Sequence, residues 1–229
     1  NEEWISDKSR FVWDGIRVQR LDKPYKKIDG NFIAIGWEEA LSIAAERMLT
    51  RKTAFVSGDL INTEALYAAS KLSEYLEGTK VLGDFDAGVQ LKGRSCYVGN
   101  GKIEDLESVR NIILLGTNPR KEASVINARI RKAWMSGSDV YRLGPQDNLT
   151  YGVKELGYSF HDLQVFLDKM STKKSFWADT IFLVGYSFLN TKSSNGALNT
   201  VRSYVEKYKA KFLVLHPNAS AVGSLDLGF

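Results

Sequence analysis

Asn111-Ile112-Ile113-Leu114-Leu115-Gly116-Thr117-Asn118-Pro119-Arg120 is the stretch on which the fold turns. Its apolar residues run without alternation, which marks a strand covered on both faces, as in a parallel sheet. Gly116 ends the run. Asn118 and Pro119 are turn chemistry, with proline fixing φ where a helix starts. The helix that follows carries Val125, Ile126, Ile130, Ala133 and Trp134 on one face and Arg129, Arg131 and Lys132 on the other, and Gly137 stops it. Val140-Tyr141-Arg142-Leu143 reads as the next strand, closed by Gly144-Pro145. Strand, amphipathic helix and strand in that order form a right-handed βαβ unit.

The same grammar extends outward in both directions. Towards the amino end, Ala54-Phe55-Val56 is a strand leading into Ser57-Gly58-Asp59. Asn62 or Thr63 caps a helix with Leu66, Ala69, Leu72 and Leu76 on one face, and Val81-Leu82 follows as a strand. Residues 84–101 are glycine-rich and irregular, and residues 103–110 read as a short acidic helix or turn. Towards the carboxyl end, residues 180–184 form a strand, 185–195 a polar loop, 196–208 a helix and 211–215 a strand ending at His216-Pro217. At the start, residues 1–27 lack helical periodicity and predict an extended strap. Asp29-Gly30-Asn31 is a turn, and Phe32, Ile33 and Ile35 make a short strand. Trp37-Glu38-Glu39-Ala40-Leu41 opens a helix with Leu41, Ala44, Ala45 and Met48 inward.

The predicted class is therefore α/β, with Rossmann-like βαβ units, a mostly parallel sheet and an N-terminal strap. The predicted division is 1–50 for the strap and first helix, 51–150 for a first α/β unit and 151–229 for a second, incomplete one. In such sheets ligands bind beyond the carboxyl ends of the strands. Those ends are Ser57-Gly58-Asp59, the 116–120 loop, Gly144-Pro145, Gly185 and His216-Pro217.

Composition removes several function classes. The 229 residues are 44% hydrophobic and 25% charged with four prolines, an ordinary globular balance with enough apolar residues for a core. Thirty-one Lys and Arg against 27 Asp and Glu leave a net charge of +4, too weak to call for nucleic acid. One cysteine, Cys96, makes no internal disulfide and holds no iron–sulfur cluster unaided. Two separated histidines, His161 in a predicted loop and His216 after a strand, make no metal site. No apolar run approaches a membrane span.

Among single features, the loop of Gly116, Thr117, Asn118, Pro119 and Arg120 is the best candidate for chemistry. Backbone N–H groups turned toward a helix start suit an anion, with Arg120 and Lys121 adding charge. The same residues also read as a plain strand-to-helix turn, and it is neither a Walker loop nor a GxGxxG fingerprint. Cys96 lacks a nearby base and reads as a small half-buried apolar residue. Asp59, Asp84 and Asp86 offer an acid pair but sit where turns favour Asp anyway. The face of Arg129, Arg131 and Lys132 reads as solvated, or as a subunit interface anchored by Trp134.

A resemblance adds to this. Asn1-Glu2-Glu3-Trp4-Ile5-Ser6-Asp7-Lys8-Ser9-Arg10-Phe11, with Asp14-Gly15, Gln19-Arg20-Leu21 and Pro24, resembles the start of a molybdopterin-oxidoreductase-type domain. The version it resembles is carried by the large iron–sulfur subunit of respiratory complex I, NADH:ubiquinone oxidoreductase. Trp37-Glu38-Glu39-Ala40-Leu41 is similar to the W-[DE]-E-A-L helix of the wider family. The block from Gly116 to Ala123, followed by Asn127-Ala128-Arg129-Ile130-Arg131-Lys132-Ala133-Trp134, resembles the complex I version closely. Leu149-Thr150-Tyr151 and Leu156-Gly157 fit it too, while residues 221–228 match weakly.

In catalytic relatives, the resemblance implies, a bis-pterin guanine dinucleotide sits on loops equivalent to 116–120, helped by an acidic D-P-R-type turn after the next strand. Here that turn is Gly144-Pro145-Gln146, without the carboxylate or the arginine, and no molybdenum ligand stands out. The implied chain is thus a structural and interaction part of complex I, enzymatic only as a subunit of the proton-translocating NADH:ubiquinone oxidoreductase. The expectation is no catalytic, metal-binding or cofactor-binding residue of its own, Gly116, Thr117, Asn118, Pro119 and Arg120 being a degenerate loop. Iron–sulfur clusters and FMN are expected in partner chains of the peripheral arm, one of them packing on Trp4, Phe11 and Trp13. Absence of the family's cysteine-rich cluster domains implies a piece of a longer subunit: a split, trimmed or partly ordered product. Location at the matrix side of the mitochondrial inner membrane follows, or at the cytoplasmic face in bacteria. The alternative is a pterin- or nucleotide-binding oxidoreductase domain.

Overall fold

A computed structural model of the chain describes residues 3–58, 60–83, 93–189 and 194–228. The chain falls into two compact units, one of residues 7–84 with 223–229 and one of residues 1–6 with 85–222.

In the unit of residues 7–84, β1 (Tyr25–Ile28) and β2 (Asn31–Ala34) form an antiparallel hairpin. Its two-residue turn puts Asp29 at φ 48° and Gly30 at φ 84°, the positive values that an Asp-Gly pair adopts readily. Helix α1 (Trp37–Thr50) follows, then β3 (Ala54–Ser57), helix α2 (Thr63–Glu74) and β4 (Lys80–Gly83). Strands β3 and β4 pair in parallel across the α2 crossover. Asn62 is the cap of α2, its side chain accepting from the Ala65 N–H at 2.7 Å.

Two expectations for this region change. The strap is not extended throughout: Asp7–Phe11 and Asp14–Arg17 are helical turns, too short to show a period in sequence. On α1, Leu41, Ala44 and Ala45 are exposed and Met48 is half-buried, so the apolar face is formed but not covered. Of residues 7–58 and 60–82, only Ser57 and Leu66 are buried.

The larger unit holds the core. Its five parallel strands are β5 (Asn111–Leu115), β6 (Asp139–Leu143), β7 (Lys154–Gly157), β8 (Thr180–Gly185) and β9 (Lys211–Leu215), in spatial order β7-β6-β5-β8-β9. Alternation splits the strands between two cores. Ile113, Leu115, Tyr141, Leu143, Phe182 and Val184 meet helices α4 (Phe160–Met170) and α5 (Ser194–Tyr208) on one face. Ile112, Leu114, Val140, Ile181 and Leu183 meet α3 (Ser124–Met135) and the turn Ile103–Glu107 on the other. This doubly wound arrangement is the parallel α/β fold that the unbroken apolar run of β5 predicts.

Strands on both sides of residue 150 share this sheet, and β3 and β4 lie in the smaller unit, so the compact units do not divide at residues 50 and 150. Sequence reading passed over β7, a short strand at the sheet edge whose polar residues carry little periodic signal. It also placed His161 in a loop. His161 lies in the first turn of α4, whose start is fixed by Ser159 and Asp162 capping each other's backbone N–H groups. Cys96 is buried rather than half-buried, in the helical turn Ser95–Val98. Asp59, Asp84 and Asp86 lie outside the described residues.

Candidate functional site

Strand order reverses between β5 and β8, since β6 and β7 lie to one side of β5 and β8 and β9 to the other. A crevice opens at such a switch point, beyond the carboxyl ends of the two strands. Here those ends are Gly116 and Gly185, and the chain itself closes them together. A Cβ on Gly185 would lie 2.5 Å from the Gly116 carbonyl oxygen, and one on Gly116 would lie 2.6 Å from the Phe188 backbone nitrogen. Gly116 adopts φ 57°, the left-handed region, to make this turn. Both glycines therefore serve close approach of the chain to itself.

The 116–120 loop then enters the short helix Pro119–Glu122 with proline at its first position. The Glu122 carboxylate folds back over the loop. Its Oε2 accepts from the Thr117 hydroxyl at 2.6 Å and its Oε1 from the Asn118 N–H at 2.9 Å. The cations of the loop are engaged as well. Arg120 donates to the Asn148 carbonyl at 3.0 Å, and Lys121 to the Asp147 carboxylate at 3.1 Å.

Beside the loop, Arg142 is buried at the end of β6. Its Nε donates to Glu155 Oε2 at 3.1 Å and its Nη1 to the Asp147 carbonyl at 2.7 Å, while Nη2 donates to Glu155 Oε1. What remains is a cleft of about 100 Å³ lined by Thr117, Asn118, Glu122, Arg142, Asp147 and Ser187 along with Gly116, Gly144 and Pro145. Among the described residues, no group of three or more His, Cys, Asp or Glu is placed to hold a metal ion.

The structure thus brings Gly116, Thr117, Asn118, Gly144, Pro145 and Gly185 to one place, and Arg120 to its edge. Cys96, His161 and His216 take no part in it. His216 bonds the Tyr97 carbonyl at 2.5 Å through Nε2, and burial pushes its pKa below the ordinary histidine value against the opposing pull of that carbonyl. Sequence reading missed Glu122, Arg142 and Asp147 as parts of the cleft. Glu122 carried a signal, an acidic residue in the first turn of a helix, where carboxylates reach back to N–H groups. Arg142 carried none beyond being the one cation in its strand. Arg129, expected on a solvated face, is buried and ion-paired to Glu107 at 2.6 Å, while Arg131 and Lys132 are exposed.

Comparison with known proteins gives this geometry a family. The molybdopterin oxidoreductase family model matches residues 20–229. The chain belongs to the molybdopterin oxidoreductase family. Within that family it is similar to an NADH-quinone oxidoreductase subunit of Rickettsia bellii, 32% identical over 248 residues, with 100% of this chain and 36% of the relative covered. It is also similar to the mitochondrial NADH-ubiquinone oxidoreductase 78 kDa subunit of Candida albicans, 33% identical over 246 residues, with 100% and 34% covered. The NADH-ubiquinone oxidoreductase 75 kDa subunit of Reclinomonas americana is 29% identical over 259 residues, with 100% and 37% covered. The chain spans about a third of the length of these curated relatives. Among solved structures, the formyltransferase/hydrolase complex of Methylorubrum extorquens shares the fold, with a TM-score of 0.58 over 88% of this chain and 63% of the other at 15% identity.

The loop that the family resemblance assigns to a pterin dinucleotide lines a small cleft in this structure. Ligand pockets run from roughly 300 to 1,000 Å³, and the cleft holds about 100 Å³. Glu122 takes the Thr117 hydroxyl and the Asn118 N–H, and the Phe188 backbone lies against Gly116.

Proposed function

We propose that this chain is a structural and interaction part of a complex I-type NADH:quinone oxidoreductase, supporting electron transfer from NADH to quinone in the peripheral arm without a redox centre of its own. The observation that carries the reading is the closed crevice of a family member whose relatives are named as subunits of that oxidoreductase. A loop whose donors are taken by the chain's own carboxylate, with the Phe188 backbone packed on Gly116, leaves the fold as its contribution. The smaller unit supports the same reading from its surface. Phe11 is 65% exposed, and Trp13, Phe32, Trp37, Leu41 and Val56 are exposed as well. Bare aromatic and aliphatic side chains on this scale mark contact surfaces.

In this reading Trp4, Phe11 and Trp13, all exposed, meet a cluster-bearing partner, and iron–sulfur clusters and FMN reside in partner chains. The matrix side of the mitochondrial inner membrane, or the cytoplasmic face of a bacterial one, is the corresponding location, consistent with mitochondrial and bacterial relatives. No helix among the described residues is long and apolar enough to cross a membrane.

Affinity purification of the chain from its native membranes tests the proposal. Co-purification with iron- and flavin-containing polypeptides is the expected result. Recovery as a monomer without them overturns the assembly role. Stoichiometric molybdenum or tungsten in the purified chain overturns the absence of a redox centre.

A further inference from the structure

The net charge of the chain is gathered in one short segment. Residues 17–27 carry Arg17, Arg20, Lys23, Lys26 and Lys27 against a single carboxylate, Asp22. That excess accounts for the whole +4 of the chain, so cations and carboxylates balance over the other residues. Every residue of the segment except Pro24 is exposed. Among the described residues only Lys26 of the five cations has a carboxylate partner, Glu39 at 3.5 Å. Arg17 and Lys27 lie over the Trp13 and Phe32 rings at 5.8 and 5.5 Å, contacts that place them without neutralising them. Between the cations stand Val18, Leu21 and Tyr25, also exposed, Leu21 at 85%.

We infer that residues 17–27 are a docking strip for an acidic protein surface, whose Asp and Glu side chains pair with Arg17, Arg20, Lys23 and Lys27 around apolar contacts to Val18, Leu21 and Tyr25. Charge complementarity carries the choice of partner. Guanidinium and ammonium groups without a carboxylate of their own chain take one from a partner, and such pairs fix register and speed encounter. Apolar side chains set among them give the mixed character of a protein interface. A lipid surface is served less well. The strip is no helix, since Gln19 at φ 56° separates the helical turn that ends at Arg17 from β1, so cations and apolar groups are not sorted onto the two faces of an amphipathic helix. A nucleic acid would call for a wider basic field, and charge balances elsewhere in the chain. The inference rests on the interaction role proposed above and goes beyond it by naming the strip and the chemistry of the surface that it meets.

The test is carbodiimide coupling of the assembly purified from native membranes, with the joined peptides mapped by mass spectrometry. This reagent links a lysine amine to a carboxylate only where the two touch. Lys23 and Lys27 are expected to couple to Asp or Glu of another polypeptide, and to lose those links at high salt. The Lys26–Glu39 pair within the chain is the internal control. Reversing two exposed charges, Arg20→Glu with Lys23→Glu, is expected to lower the share of the chain recovered in the assembly by about tenfold at an unchanged melting temperature. An assembly that holds the chain, shows the Lys26–Glu39 link and joins neither Lys23 nor Lys27 to another polypeptide overturns the strip and leaves the interaction role standing. The same result with binding of the free chain to phosphatidylserine vesicles, lost in the double variant, overturns the acidic protein in favour of a lipid surface. Recovery of the chain without any partner polypeptide overturns both the strip and the interaction role.

Discussion

Gly116 and Gly185 end neighbouring strands and touch: a Cβ added to Gly185 would fall 2.5 Å from the Gly116 carbonyl oxygen and 2.5 Å from Thr117 Cβ. No rotamer relieves a clash of Cβ with backbone. Gly185→Ala is therefore expected to separate the β5 and β8 ends and to lower stability by about 2 kcal/mol, in the range of overpacked cores. Gly196, in α5, has nothing within 4 Å of its Cβ position. Gly196→Ala is expected to raise stability by about 0.5 kcal/mol by removing unfolded-state freedom. Urea denaturation decides both, through opposite shifts of the midpoint at unchanged slope.

The contrast shows what a sequence carries. The apolar run 112–115 was enough to place β5 at the centre of a parallel sheet, because covering both faces is what that pattern means. Gly116 was legible as a strand end, but its partner Gly185 lies 69 positions away, and only the strand order brings them together. Glu122 stands within a legible motif, but its reach back to its own loop depends on the backbone angles of Asn118 and Pro119. The apolar face of α1 predicts burial, but what an amphipathic face packs against is not written in its own residues.

Acid is expected to lower the protein's stability in two stages. Burial holds the folded pKa of His216 below the 6.5 of the free side chain. The unfolded chain then binds a proton that the folded chain refuses, so stability falls as pH drops through about 6.5 and levels off below the folded value. Asp105 works in a lower window. Lys211 at 2.6 Å and the Lys102 N–H at 2.7 Å hold its carboxyl below 3.8, so its contribution is present above 3.8 and is lost as pH falls below that. His216→Gln is expected to flatten the upper stage and leave the lower one. Melting temperatures across a pH series check this, and an unaltered upper slope would sink it.

Tyr151 ties the loop before β7 to α3, its hydroxyl donating to Asn127 Oδ1 at 2.9 Å within a buried contact. Burial pushes its pKa well above the ordinary tyrosine value of 10.0. The stability held by the neutral phenol is full below pH 10 and is lost as pH rises past it. Tyr151→Phe leaves the Asn127 acceptor without this donor, at a cost of roughly 1–2 kcal/mol. Thermal denaturation at neutral pH reads that loss, and spectrophotometric titration should find one fewer late-ionising tyrosine in the variant.

Arg142 and Glu155 form a two-pronged polar link between β6 and β7, and the two sides of the pair are unequally covered. The arginine side chain is 5% exposed and the glutamate 36%. Removing the better-solvated partner therefore costs more. Glu155→Ala strands a buried guanidinium with only the Asp147 carbonyl to satisfy it, at a cost of about 3 kcal/mol. Arg142→Met removes the buried cation and leaves a carboxylate that water reaches, and its long apolar side chain fills much of the vacated space, so the loss is nearer about 1 kcal/mol. The double variant should sit close to Arg142→Met alone, since the stranded cation is gone from both. Chemical denaturation of the three variants gives the cycle directly. A larger loss for Arg142→Met than for Glu155→Ala would show that the pair is held by the carboxylate's environment rather than by burial of the guanidinium.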